Sequence, residues 1–215
     1  MFLLGHMVWG YVFGRVSASL LRVRVSLPWL VMMGAIPDYD FLLQPLGLQH
    51  HTISHSLLPW LVILPFFLWR WGVRAIPYWV ATIQHLFGDY LVDTIPWALP
   101  FSHTKIGLRL GPVPSAYDSL LELAGLSVML LLLRVSGDWS TLTARVKSNV
   151  WMVIPLSTAL SLSLSVALDL PVALVHFAFS RRALTAITFG HFVLGLLLTV
   201  SFLQGLRAFR ASKIG

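Results

Sequence analysis

Seven stretches of mainly apolar residues, about 1–20, 27–45, 56–73, 75–97, 118–135, 149–176 and 183–206, succeed one another with only short polar breaks. Each approaches the roughly 17 to 25 residues that a helix needs to cross a bilayer. The expected fold is therefore all-α: a polytopic integral membrane bundle with about five to seven transmembrane segments. Arg15 shortens the first stretch and Pro37-Asp38 interrupts the second, so either is expected to be a broken or re-entrant element. Composition agrees, with 57% hydrophobic and 11% charged residues where soluble domains carry about 25% charged. No linker or repeat divides the chain, which predicts one membrane domain over 1–215, with the unusual polar motifs inside 6–101 and a plainer helical remainder over 116–207. The N-terminus lacks a basic leader and a small-residue cleavage pattern, so the first segment is expected to stay.

The net charge of +7 would suggest a nucleic-acid partner in a soluble protein. Here the basic residues lie in short runs between apolar segments, where they orient helices against anionic lipid, and no nucleic acid is expected. With the N-terminus outside, eleven of fifteen Lys and Arg face the cytoplasm, leaving only Lys105, Arg109, Arg181 and Arg182 on the other side. That bias follows the positive-inside rule.

Four of the eight acidic residues and four of the eight histidines fall between Pro37 and Asp93. They form Pro37-Asp38-Tyr39-Asp40, then His50-His51-Thr52-Ile53-Ser54-His55, then His85 to Asp93. Each ionisable group buried in lipid costs roughly 2.5 to 3.5 kcal/mol even on lenient scales, so such a set needs a compensating partner, and a cation supplies it. Without cysteine, any metal is held by nitrogen and oxygen. On a helix His85 and Asp89 share one face, one turn apart, and Asp93 extends the stripe. His51 and His55 have the same spacing, with Ser54 and Ser56 beside them to fix a ring tautomer. Asp38 and Asp40 point apart on regular helix, so one would ligate while the other acts as base or orients a ligand; on irregular backbone both could converge. The alternative is a helix cap after Pro37. His6 is an equal balance of ligand and packing residue, His50 reads as a loop residue, and His176 and His191 as packing residues. His103, Lys105 and Arg109 form either a phosphate-holding group or a plain solvated loop.

At these residues the chain resembles the YdjM-like family of membrane-bound metal-dependent hydrolases. The family pattern runs from an early His through Pro-Asp-x-Asp, a block leading from His-Arg-Gly into Thr-His-Ser, a His-x-x-x-Asp and a Trp-Pro-Phe-like element. Here those positions read His6, Pro37 to Asp40, His51 to Ser56, His85 to Asp89 and Trp97 to Phe101. The match covers about the first 105 residues, with Thr52 in place of the family's Arg and Ser54 in place of its Thr. Loss of that Arg removes an anion-binding donor. A more distant similarity is to zinc-dependent phospholipase C enzymes.

The expectation is a hydrolase of a lipid or lipid-linked phosphoester, with one or two divalent ions, zinc first and manganese as an alternative, held by His6, Asp40, His51, His55, His85 and Asp89. Asp38 or Asp93 would accept the proton from a metal-activated water. The site is placed on the outer face of the cell membrane, with membrane lipid as the surrounding partner. The rival readings are a metal-ion or proton transporter using the same residues, and a non-catalytic membrane protein with a vestigial site.

Overall fold

The computed structural model describes residues 3–40, 52–110, 116–145, 147, 149 and 181–214. The chain is mostly helical. α1 (Leu3–Leu20) leads into α2 (Leu27–Ala35), which starts from an extended Ser26 with Pro28 in its first turn. There the ring's fixed φ suits the helix and its missing N–H costs nothing. α2 is nine residues long, about 14 Å of rise. The 27–45 stretch is therefore not one full span: at 36–40 the backbone tightens into a 3-10 turn around Pro37, and residues 41–45 lie outside the described ones.

A second 3-10 turn, Ile53–His55, precedes α3 (Leu57–Trp71). At Gly72 the backbone takes φ 58°, which glycine adopts without a side-chain clash, and after the short 3-10 turn Gly72–Ala75 the chain continues as α4 (Ile76–Val92). The indole N–H of Trp79 donates to the Trp60 carbonyl at 3.0 Å. Nineteen residues of straight helix would separate them by about 28 Å, so α3 and α4 fold back on each other as a helical hairpin.

After α4 the chain departs from an all-helical fold. β1 (Ile95–Ala98) and β2 (Ser102–Ile106) pair antiparallel, with Ile95 opposite Ile106 and Pro96 opposite Lys105. The Trp-Pro-Phe-like element thus builds a β-hairpin, and the 75–97 stretch ends as helix at Val92. α5 (Ala116–Val135), α6 (Asp138–Thr143) and α7 (Arg181–Ile214) complete the described elements. The expected 149–176 segment lies outside the described residues, Asn149 apart.

α1 is the central helix, packed on α2, α4 and α5. Its crossing with α2 is close because glycine faces glycine: a Cβ on Gly10 would come within 2.5 Å of the Gly34 Cα. Small residues at a crossing let backbones approach, as is common between membrane helices. Met7, Tyr11, Leu30 and Met129 fill the core beside it. At the far end of α1 from His6, Asp138 accepts a hydrogen bond from the Tyr11 hydroxyl at 2.9 Å and pairs with Arg15 at 2.6 Å, tying α6 to α1.

Two helical stretches, Leu57–Val92 and Phe192–Ala211, are long and apolar enough to cross a membrane, the first being the α3–α4 hairpin. α3 buries none of its residues and leaves Val62, Phe66 and Trp69 exposed. An apolar helix without a covered face is an expected consequence of lipid contact and a liability in water.

Candidate metal centre

His6 near the start of α1, Asp38 just past α2, His55 just before α3, and His85 and Asp89 in the last turns of α4 all lie at one end of the helical array. All five are buried. Each arrives there because its helix starts or stops beside it.

His85 is fully buried and its Nδ1 lies 2.8 Å from the Gly34 carbonyl oxygen. A carbonyl only accepts, so Nδ1 donates and the Nε2 lone pair faces inward. Gly34 is in the last turn of α2, where carbonyls lack a partner in their own helix. His55 is held similarly from behind. The Ser54 hydroxyl donates to Asp40 at 2.6 Å, and the same Asp40 oxygen is 3.3 Å from His55 Nδ1. A carboxylate behind a histidine is the usual support of a metal-bound imidazole.

The inward atoms converge. His85 Nε2 stands 3.2 Å from His55 Nε2, 3.4 Å from Asp38 Oδ1 and 3.3 Å from Asp89 Oδ2. His55 Nε2 stands 3.3 Å from Asp38 Oδ1 and 3.6 Å from Asp89 Oδ2. A tetrahedral ion bound at 2.0 to 2.1 Å spaces its ligand atoms about 3.3 Å apart. The three separations within His55, His85 and Asp89 lie close to that length, so these residues fit a small divalent ion. Two overlapping groups, His55 with His85 and Asp89, and His6 with Asp38 and His85, have donor atoms all within 4.8 Å of one another. They share His85, whose other nitrogen is engaged by Gly34, so among the described residues they are alternative seats for one ion rather than two sites.

His6 stacks on the His85 ring, centroids 3.5 Å apart, and its Nε2 lies 3.1 Å from Asp89 Oδ1. It therefore steadies both a histidine and a carboxylate of the cluster. The electrostatics ask for a cation: three carboxylates gather where water is scarce, and unpaired buried charge is costly. Burial works against protonation of His55, but Asp38 and Asp40 outweigh it and hold its pKa above the usual value.

No family model, curated protein or solved structure matches this chain.

The geometry brings together His6, Asp38, Asp40, His55, His85 and Asp89 and divides them differently from the sequence reading. Asp40, expected as a ligand, stands behind His55, whereas Asp38, expected as a proton acceptor, has Oδ1 among the inward atoms. The cause is the 3-10 turn at 36–40, which replaces the regular helix on which their directions were judged. Asp93 is half-buried and belongs to neither group, since α4 ends there with φ −137° and ψ −148°. His51 lies outside the described residues. The expected helical stripe through His51 and His55 is not formed at its His55 end, because Ile53–His55 is a 3-10 turn and Ser56 is extended. Ser54 supports His55 as expected, but the Ser56 hydroxyl accepts from the Leu99 amide at 2.9 Å and so anchors the β-hairpin. His103, Lys105 and Arg109 are exposed on or after that hairpin. The Gly34 carbonyl was invisible to a reading of side chains; only a glycine close to a helix end hinted at it.

Proposed function

We propose that this chain is a polytopic membrane hydrolase acting on a lipid or lipid-linked phosphoester, with one zinc ion held by His55, His85 and Asp89. The supporting observation is the spacing of the inward donor atoms of His55, His85 and Asp89, 3.2 to 3.6 Å, at one end of the helical array. When bound, a divalent cation supplies the Lewis acidity that polarises an ester and activates water. Asp38 lies against both histidine Nε2 atoms and is the carboxylate that takes the proton during attack. His6 and Asp40 position Asp89 and His55.

The resemblance to the YdjM-like family supports the reaction class, and the exposed apolar flank of α3 supports the membrane setting. On the positive-inside reading, the ligand end faces outward from the cell membrane. The deciding experiment measures metal content, phosphoester turnover and ion flux on one reconstituted sample. Turnover that a chelator silences and zinc restores, without flux, supports the hydrolase. A zinc-loaded chain that moves ions and cleaves no ester decides for the transporter.

A further inference from the structure

A cavity lies away from the histidine cluster, between α2 and the α3–α4 hairpin. It encloses about 590 Å³ and its walls are Trp29, Met32 and Ile36 of α2 with Trp60, Phe67 and Trp71 of α3. From Trp60 to Trp71 is eleven residues, about 16 Å of helical rise, which matches one leaflet of a hydrocarbon core about 30 Å thick. Its lining changes character at one end only. Arg24, in the link between α1 and α2, and Arg74, in the turn between α3 and α4, both line the cavity there and are exposed. The ligand cluster is at the opposite ends of the same helices.

We propose that this groove holds one acyl chain of an anionic phospholipid whose headgroup phosphate sits between Arg24 and Arg74. An apolar slot one leaflet deep, lined by aromatics and ending at two exposed arginines, is complementary to that molecule at both ends. A neutral lipid would fill the slot but leave the arginines without a counter-charge, and free phosphate would meet the arginines without using the slot. The bound lipid belongs to the leaflet opposite the metal centre and holds α2 against α3. The inference rests on the membrane setting argued above but not on hydrolysis.

Trp29, Trp60 and Trp71 make the test direct. The full chain is reconstituted in phosphatidylcholine vesicles containing small fractions of either brominated phosphatidylglycerol or brominated phosphatidylcholine, and tryptophan quenching is recorded. Arg24 and Arg74 are each worth about a fivefold preference for an anionic lipid, so the anionic brominated lipid should quench at a roughly 25-fold lower mole fraction. In the double variant Arg24→Gln/Arg74→Gln the two lipids should quench alike, while metal content and helix content stay at the parent values. Equal quenching by both lipids in the parent chain, or a preference that survives the double variant, overturns the assignment. Preferential quenching in a chain that binds no metal sinks the hydrolase reading alone. Metal-dependent turnover without the quenching preference sinks only the lipid site.

Discussion

The Gly34 carbonyl oxygen lies 2.8 Å from His85 Nδ1, so the backbone of one helix decides which nitrogen of a histidine on another faces the His/Asp cluster. The contact depends on how near the helices come. A Cβ at residue 34 would meet the His6 carbonyl and stand 2.9 Å from the Gly10 Cα. Gly34→Ala should therefore separate α1 from α2, destabilise the fold by about 1 to 3 kcal/mol and weaken metal binding by about 10- to 100-fold. Chelator competition on the purified variant checks this, and unchanged affinity would show that the carbonyl does not orient the ring.

Removing ligands and removing their supports should give separable results. His85→Ala or Asp89→Ala is expected to abolish stoichiometric zinc, because each contributes an inward atom to the cluster. Asp40→Asn and Ser54→Ala leave every inward atom in place and should lower affinity by about 10- to 100-fold without abolishing it. Elemental analysis across zinc concentrations distinguishes the two classes. Metal lost equally from all four variants would return Asp40 to the ligand set.

Asp38→Asn probes the proton acceptor. The amide keeps the shape but gives up the basic carboxylate, and general-base loss costs about 10²- to 10⁴-fold in rate. Turnover should fall by that factor while zinc is retained through His55, His85 and Asp89. Zinc and turnover lost together would instead make Asp38 a fourth ligand.

Acidity should act on the metal-free and metal-loaded chains in opposite directions. The His55 pKa is raised by Asp38 and Asp40. In the metal-free chain the stability from that pairing is complete below the ordinary histidine pKa of about 6.5 and is lost as pH rises through the raised value. Zinc must displace that proton, so its apparent affinity should climb with pH over the same interval. At a hundred times Kd the ion adds about 2.7 kcal/mol. Thermal melts at pH 6 and pH 8, with and without zinc, should show the stabilisation by zinc larger at pH 8.

Orientation is testable because the chain has no cysteine of its own. Thr104 on the β-hairpin and Ser140 on α6 are both exposed, and they lie towards the ligand end and the Asp138 end of α1 respectively. Thr104→Cys should react with an impermeant reagent on intact cells and Ser140→Cys should not. The reverse pattern would turn the His/Asp cluster to the cytoplasm.

Much of how these side chains cluster is legible in the sequence. The i, i+4 spacing of His85 and Asp89 survives because α4 is a regular helix through both residues. Pro37 correctly signalled an irregular backbone at Asp38 and Asp40, yet only the 3-10 turn itself determines which carboxylate points inward. His55 was singled out with the right support from Ser54 but on the wrong element, since three residues of 3-10 turn have no periodicity to read. The β-hairpin escaped because its strands are four and five residues long and abut an apolar helix. In such short runs, alternation cannot be told from the tail of a transmembrane segment.

The segment that leaves the hairpin does not drift away from α4. The amides of Leu108 and Leu110 donate to the carbonyls of Tyr90 and Leu91 at 2.7 and 3.0 Å, filling acceptors that the end of a helix leaves open. These carbonyls follow directly on Asp89, so the hairpin and the ligand-bearing turn form one mechanical piece. A force or a binding partner that displaces the hairpin is transmitted to Asp89, and the rim of this site works as a lever on its floor.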